Sequence, residues 1–120
     1  MLLVEDDDSA REIFATALRM TGYRVRTAAD GLAGLRLLDS FNPDVVVVDL
    51  ALPIASGFDV LDELRAGERT HHTPVIAISG NETGLERARS NPEFFGILAK
   101  PFDPQNLVHM VDLAHRHIHN

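Results

Sequence analysis

The sequence contains no cysteine, which excludes disulfide bonds, thiolate zinc sites and a cysteine nucleophile. Basic residues are also scarce, because 11 Lys and Arg stand against 18 Asp and Glu and give a formal net charge of −7. This balance argues against direct binding of nucleic acid or of an anionic membrane, which needs a basic face. No apolar run approaches the roughly 20 residues of a membrane-spanning helix, and the chain does not begin with a charged leader. We therefore expect a soluble, cytoplasmic protein.

The chain has 120 residues, of which 45% are hydrophobic and 24% are charged. Length and composition are those of one globular domain, and we expect a single domain over residues 1–120.

Short apolar runs alternate with amphipathic segments along the chain. Residues 45–48 are four consecutive valines, a pattern typical of a central parallel strand that is covered on both faces. Ser9 and Glu12 form a sequence capping box, which predicts that the first helix begins there. Ile13, Phe14, Ala17 and Leu18 are expected to form its apolar face. The predicted strands are 2–4, 23–28, 45–48, 74–78 and 96–99, and the predicted helices begin near residues 9, 32, 58, 82 and 104.

Five strands that alternate with five helices predict a parallel sheet with helices on both faces. Polar residues stand at the ends of four of the strands: Glu5 and Asp6 after the first, Asp49 after the third, Ser79 after the fourth and Lys100 after the fifth. Ligands of such sheets bind outside the carboxyl ends of the strands, where the strand order switches. We therefore expect the functional site at this edge.

Several carboxylates in one cleft repel each other unless a cation joins them. Without cysteine or clustered histidine, an oxygen-only Mg²⁺ site is the simplest arrangement. Mg²⁺, Lys100 and the Ser79 hydroxyl together can hold the three equatorial oxygens of a transferring phosphoryl group. A carboxylate then remains to attack phosphorus, and Asp49 is our candidate because it ends the most buried strand.

The segments that carry these residues resemble the receiver domain of bacterial two-component response regulators, which includes the chemotaxis regulators. The resemblance covers essentially the whole chain. It implies a flavodoxin-like α/β fold: a doubly wound, five-stranded parallel sheet in strand order 2-1-3-4-5 with five helices. Its motifs are residues 3–7 (LVEDD), 48–53 (VDLALP) with Gly57, 74–79 (PVIAIS) and 100–102 (KPF).

The resemblance also implies a phosphorylation-operated signalling switch that is not an enzyme beyond its own phosphorylation and dephosphorylation. Asp49 matches the phosphoacceptor, which receives its phosphoryl group from a sensor histidine kinase or a phosphotransfer protein. Asp6 matches the direct Mg²⁺ ligand, with Glu5 acting mainly through water. Asp49 and the backbone carbonyl of Ala51 complete the implied metal ligands. The downstream effector is not indicated by the sequence.

Three further positions are assigned by the same resemblance. Ser79 matches the switch hydroxyl, Lys100 matches the lysine that pairs with the phosphoryl group, and Pro101 follows it across a bond that is usually cis. Ile97 stands where the family usually has an aromatic switch residue, so we expect weaker coupling to Ser79, or coupling through the backbone. Pro92 is expected to end the fourth helix early.

Two alternatives remain open. One is a phosphorylation-independent interaction module of receiver fold, although such modules typically lose the acceptor or the lysine. The other is an aspartate-nucleophile phosphohydrolase, which generally has a second acid two residues after the nucleophile, where this chain has Ala51. Ala51 also gives no reason to expect accelerated dephosphorylation. His115 and His119 are spaced to chelate a metal, but a solvated helix end is the simpler interpretation. Whether the domain stands alone or comes from a larger regulator or hybrid kinase is not indicated.

Overall fold

A computed structural model describes residues 1–52 and 54–119, and the side chain of residue 119 lies outside the description. Pro53 of the sequence motif and the His119 side chain of the histidine pair are therefore outside the described residues. Strands and helices alternate along the described chain in the following order: β1 (Leu2–Val4), α1 (Asp8–Met20), β2 (Arg26–Ala28), α2 (Gly31–Leu37), β3 (Val46–Asp49), α3 (Gly57–Ala66), β4 (Val75–Ser79), α4 (Glu82–Arg89), β5 (Gly96–Ala99) and α5 (Pro104–His119).

The strands form one five-stranded sheet in the order β2-β1-β3-β4-β5, and every pairing is parallel. This confirms the fold and strand order implied by the sequence. Strand β1 lies between β2 and β3, with Leu3 opposite Thr27 on one side and Val47 on the other. The switch in strand order therefore falls between β1 and β3, beside the residues that follow them.

Side chains of the central strands point alternately into two hydrophobic layers, one on each face of the sheet. Val47 belongs to one layer, whereas its neighbours Val46 and Val48 belong to the other, and all three are fully buried. This double coverage explains why β3 consists of β-branched apolar residues without polar alternation. The layer that we call the α1/α5 layer includes Leu3, Val47, Ile76, Phe14, Leu18, Leu107 and Val111. The layer that we call the α2/α3/α4 layer includes Val4, Val48, Ala77, Val60, Leu64 and Ala88, with Ala33 and Leu35 packed against it.

The start of α1 differs from the prediction. Asp7 is the N-cap, and its Oδ1 accepts a hydrogen bond of 2.8 Å from the amide of Ala10. The predicted capping box of Ser9 and Glu12 is wrong because the helix begins before Ser9, where a carboxylate already caps its amide groups.

The apolar face of α1 is also rotated from the predicted one. Phe14, Ala15 and Leu18 are buried, whereas Ile13 is 53% exposed. Ile13 was predicted to lie on the apolar face of α1, and this prediction is wrong because the side chain is largely exposed.

Strand β2 is shorter than predicted because its first predicted residue belongs to the turn after α1. The amide of Tyr23 donates to the carbonyl of Leu18, and Gly22 before it has a φ of +98°, the left-handed conformation that glycine adopts without strain. The Tyr23 hydroxyl then donates to the carboxylate of Asp112 on α5. Tyr23 thus ties the end of α1 to α5.

The last three elements follow the prediction closely. Asn81 caps α4, with its Oδ1 accepting from the amide of Gly84 at 2.7 Å, and the helix ends before Pro92. At the start of α5, the carboxylate of Asp103 accepts from the amide of Gln105 at 2.8 Å. Among the described residues, no helix has the length and apolar character needed to cross a membrane.

Candidate functional site

The parallel pairing brings the polar strand ends to one edge of the sheet. Strand β1 ends one residue before Glu5, and Asp49 and Ser79 are the last residues of β3 and β4. Lys100 directly follows β5 across from Ser79, whose carbonyl accepts a hydrogen bond of 2.8 Å from the Lys100 amide. The Lys100–Pro101 peptide bond is cis, as the resemblance implied.

Lys100 joins two carboxylates at this edge. Its Nζ lies 2.6 Å from Asp49 Oδ2 and 2.6 Å from Glu5 Oε1. Glu5 is completely buried and Asp49 is 4% exposed, whereas 27% of the lysine side chain is exposed. We call Glu5, Asp6, Asp49 and Lys100 the acid–lysine cluster.

Backbone amides hold the other oxygens of the two buried carboxylates. The amide of Ala51 donates to Asp49 Oδ1 at 2.9 Å, and the amide of Asp7 donates to Glu5 Oε2 at 3.3 Å. Glu5 Oε1 faces the ammonium of Lys100 at 2.6 Å. This buried oxygen is therefore held by its ion pair with the lysine.

The electrostatics of the cluster reflect an excess of negative charge in a buried place. The pKa of the Glu5 carboxyl is raised from 4.5 to about 7, mainly by burial and secondarily by the charge of Asp49, against the lowering contact with Lys100. Burial alone lowers the pKa of Lys100, but the hydrogen bond and charge of Asp49, together with those of Glu5, outweigh it and the net direction is upward. Lys100 therefore stays protonated, and one lysine does not neutralise all the carboxylates.

Glu5, Asp6 and Asp49 each offer one carboxylate oxygen, and these three oxygens lie within 4.8 Å of one another. Two of these residues are buried and Asp6 is exposed, so the group opens to solvent on one side. Carboxylate oxygens are hard ligands of the kind that Mg²⁺ prefers, so this set of three fits Mg²⁺. The residues present thus fit the metal that the sequence indicated. The role of the Ala51 carbonyl as a further ligand stays a prediction.

Ser79 lies at the same edge but contacts a different partner. It is fully buried, and its Oγ accepts from the amide of Asn81 at 3.2 Å and donates to the carbonyl of Asn81 at 3.1 Å. In the described chain, these are the hydrogen bonds of the hydroxyl, and none reaches Asp49. We call residues 79–81 the Ser79 turn.

Gly84 allows α4 to approach this turn closely. A Cβ at position 84 would lie 2.9 Å from Ser79 Oγ and 3.1 Å from Asn81 Oδ1, closer than side-chain atoms normally meet. Ile97, which the sequence assigned to a switch position, pairs with Ala77 in the sheet and packs, partly buried, against the α2/α3/α4 layer. The aliphatic side chain of Ile97 cannot form a hydrogen bond with Ser79, and its contacts are those of a packed residue. The role of Ile97 as a switch residue stays a prediction.

One residue near the cluster was not found from the sequence. Arg11 on α1 donates from Nη1 to the carbonyl of Glu5 at 3.0 Å, and its Nη2 lies 2.5 Å from Asp8 Oδ1. The only signal for it in the sequence is the three-residue spacing from Asp8 to Arg11, which is common on helix surfaces and has no specific meaning alone.

Comparison with known proteins gives a consistent result. The family described as "Response regulator receiver domain" matches residues 1–112. Among curated proteins, the DNA-binding dual master transcriptional regulator RpaA of Synechocystis is 33% identical over 113 residues, which cover 90% of this chain and 45% of that protein. The transcriptional regulatory protein CpxR of Klebsiella pneumoniae is 34% identical over 120 residues, covering 99% of this chain and 50% of that protein. The chain spans about half or less of the length of the curated relatives it matches.

Solved structures with the same fold cover nearly the whole chain. The chemotaxis response regulator CheY4 of Vibrio cholerae superposes with a TM-score of 0.85 at 27% identity, covering 94% of this chain and 95% of that one. The receiver domain of the sensor histidine kinase PA1611 from Pseudomonas aeruginosa superposes with a TM-score of 0.82 at 30% identity, covering 99% and 96%. In that second structure a magnesium ion is coordinated in the active site cleft.

Proposed function

Because the chain belongs to the response regulator receiver domain family of two-component systems, whose members are signalling switches, we propose that it is operated by phosphorylation of Asp49. The observation that carries the proposal is the acid–lysine cluster. Asp49 ends a buried strand with one oxygen on the Ala51 amide and the other 2.6 Å from Lys100. A carboxylate held in this way is oriented before a phosphoryl donor arrives, which lowers the entropic cost of the reaction.

Mg²⁺ is the proposed cofactor, and Glu5, Asp6 and Asp49 would hold it with the carbonyl of Ala51. When bound, it neutralises charge on the phosphoryl oxygens. Support comes from the donor set, because one carboxylate oxygen of each of the three residues lies within 4.8 Å of the others.

In the proposed reaction, a carboxylate oxygen of Asp49 forms a bond to phosphorus while the phosphorus–nitrogen bond of a phosphohistidine breaks. The bonding electron pair stays on the imidazole nitrogen of the donor. Lys100 keeps its positive charge, and its contact with Asp49 Oδ2 places an ammonium beside the phosphoryl oxygens of the product. The donor is a sensor histidine kinase or a phosphotransfer protein.

The proposed output is a change of the surface around β4, β5 and α4. A phosphoryl group on Asp49 offers new acceptor oxygens to the Ser79 hydroxyl. Taking them requires the hydroxyl to leave the Asn81 backbone, so the start of α4 shifts with the Ser79 turn. With a net charge of −7, the chain is proposed to act on a downstream effector without contacting nucleic acid itself, in the cytoplasm.

The experiment that tests the proposal is incubation with Mg²⁺ and acetyl phosphate, followed by intact mass measurement. We expect one phosphoryl group on the wild type and none on Asp49→Ala. Asp62→Ala is the matched control, because Asp62 is an exposed aspartate on α3. A chelator should abolish labelling of the wild type.

Two results would contradict the assignment. Equal labelling of the wild type and Asp49→Ala places the acceptor elsewhere. No labelling of either protein, with Mg²⁺ present, favours the phosphorylation-independent interaction module.

A further inference from the structure

The loop between β1 and α1 carries two of the proposed metal ligands and is short. Glu5 is anchored by its amide, which donates to the carbonyl of Ala28 at 3.0 Å, and by its buried side chain. Asp6 is exposed, and in the described chain its carboxylate has no hydrogen-bond partner. The position of the Asp6 carboxylate therefore depends on how firmly the loop backbone is held.

Arg11 connects the two ends of this loop. Its Nη1 donates to the carbonyl of Glu5, where the loop begins, at 3.0 Å. Its Nη2 contacts Asp8 Oδ1, at the first residue of α1, at 2.5 Å. The guanidinium thus contacts the residues directly before and directly after Asp6 and Asp7. Its planar group of donors can bond two acceptors at once.

The charge of Arg11 is matched locally, which leaves geometry as its main contribution. Asp8, its partner, is 90% exposed, whereas the arginine side chain is 22% exposed. The pair carries no net charge, and water screens what remains of its field at the metal ligands. Removing the guanidinium therefore removes the hydrogen bond to the Glu5 carbonyl while it changes the charge near the metal ligands little.

We propose that Arg11 is a positioning residue for the metal site: it fixes the backbone of Glu5 and so the placement of the Glu5 and Asp6 carboxylates around Mg²⁺. The inference rests on the proposed function, because it concerns the metal that the phosphoryl transfer uses. Residues that orient metal ligands from outside the ligand set commonly change affinity by 10- to 100-fold when they are removed.

The chain offers a matched control on the same helix. Arg19 donates from Nη2 to the carbonyl of Val25 at 2.9 Å, which is also a partly buried arginine-to-carbonyl bond over six residues. Its target lies before β2, away from the metal ligands. Loss of Arg19 therefore reports what a purely structural arginine of α1 contributes.

The test is isothermal titration of metal-free protein with Mg²⁺, for the wild type, Arg11→Gln, Arg11→Lys and Arg19→Gln. We expect Kd to rise about tenfold in Arg11→Gln. Arg11→Lys keeps the charge without the fork and should remain several-fold weaker than the wild type. Arg19→Gln should stay within about twofold of it. Amide hydrogen exchange of Asp6 and Asp7 in metal-free protein should quicken in both Arg11 variants and stay unchanged in Arg19→Gln.

The outcomes separate this inference from the function it rests on. If the wild type binds Mg²⁺ and is labelled on Asp49, but Arg11→Gln keeps the wild-type Kd, the positioning role is wrong and the proposed function stands. Full recovery in Arg11→Lys also overturns it, because the simultaneous contact of one guanidinium with the Glu5 carbonyl and Asp8 would then not be needed. Equal weakening in Arg19→Gln assigns the loss to general destabilisation of α1. Absence of Mg²⁺ binding in the wild type overturns both proposals.

Discussion

The acid–lysine cluster and the Ser79 turn occupy the same edge of one sheet, yet they are organised differently. The cluster is already joined, because Lys100 Nζ lies 2.6 Å from a carboxylate oxygen of both Glu5 and Asp49. The turn is closed upon itself, because both the donor and the acceptor capacity of the Ser79 hydroxyl are directed at Asn81. The charged groups of the cluster already contact one another, whereas the Ser79 hydroxyl bonds the backbone of Asn81 and not Asp49.

This difference shows how a small domain can separate reaction from response. The groups proposed to bind and transfer a phosphoryl group are fixed by buried ion pairs, whose geometry is costly to disturb. The Ser79 hydroxyl, which is proposed to respond, is held by two long hydrogen bonds to Asn81, and each such bond is worth about 1 kcal/mol. A new ligand at Asp49 can therefore move the turn without dismantling the cluster.

Of the changes considered, removing Lys100 should lower the free energy of unfolding most, because it breaks the ion pairs of the acid–lysine cluster. Lys100→Met leaves two buried carboxylates without their cation, and we expect the free energy of unfolding to fall by about 3 kcal/mol in metal-free protein. Mg²⁺ should restore part of the loss by supplying another cation to the same oxygens. Urea unfolding with and without Mg²⁺ measures both effects.

Arg89→Met is the control for this variant. Arg89 is an exposed cation on α4 that lies 3.2 Å from the exposed Glu82, and exposed pairs contribute at most about 1 kcal/mol. A loss in Lys100→Met no greater than that in Arg89→Met would mean that the cluster is not the more firmly held region.

A smaller effect is expected from Gly84→Ala, which should release the Ser79 hydroxyl from Asn81. In Gly84→Ala, the new methyl group crowds Ser79 Oγ and Asn81 Oδ1, and the hydroxyl is the easier of the two to rotate. Loss of about 1 kcal/mol from the resting arrangement should speed labelling by acetyl phosphate about fivefold. Alanine is a better helix former than glycine by about 1 kcal/mol, so overall stability should change little.

The double variant Gly84→Ala/Ser79→Ala tests the route of this effect, because it has no hydroxyl to displace. Its labelling rate should equal that of Ser79→Ala alone. A single variant Gly84→Ala that is labelled no faster than the wild type would show that the turn does not restrain the site.

The smallest effect concerns Tyr23, which lies before β2 at the opposite edge and serves as a reference. Its pKa is raised from 10 to about 12, first by burial and then by the hydrogen bond to Asp112. A raised pKa means that Tyr23 contributes stability below pH 10, which is lost as the pH passes from 10 to 12. The chain has one tyrosine and no tryptophan, so tyrosinate absorbance reports this group alone.

We expect the titration midpoint to fall in Asp112→Ala and to stay unchanged in Lys100→Met and Gly84→Ala. A shifted midpoint in either site variant would mean that the two edges are coupled, and the contrast between cluster and turn would then not be local.

The parts of the fold that were predictable from the sequence are those set by local patterns. The start of α4 near residue 82, its end before Pro92 and the strand at 96–99 were predicted, and they agree with α4 and β5 of the structure. The meeting of Asp49 with Lys100 followed from strand ends in a parallel sheet, and the structure brings the two side chains together. The start of α1 was missed because Ser9 and Glu12 fit the pattern of a capping box, whereas the Asp7 carboxylate two residues earlier caps the amide of Ala10.

What the sequence could not predict depends on side-chain rotation. The Ser79 hydroxyl bonds the amide and carbonyl of Asn81, and which way a serine hydroxyl turns cannot be read from a strand pattern. The reach of Arg11 to the Glu5 carbonyl likewise depends on the angle at which α1 leaves the sheet. The extent of the domain, the ligand role of Ala51 and the switch role of Ile97 stay predictions.

The two hydrophobic layers have a consequence for how this chain tolerates change. Val46 and Val47 are bonded neighbours, yet their side chains belong to different layers with the sheet between them. Substitutions at such neighbours share no packing partners, so their costs should add almost independently, whereas substitutions at residues in contact within one layer should not be additive. The helices α1 and α5 can therefore diverge to suit a new partner, while the layer beneath α3 and α4 keeps its own packing intact.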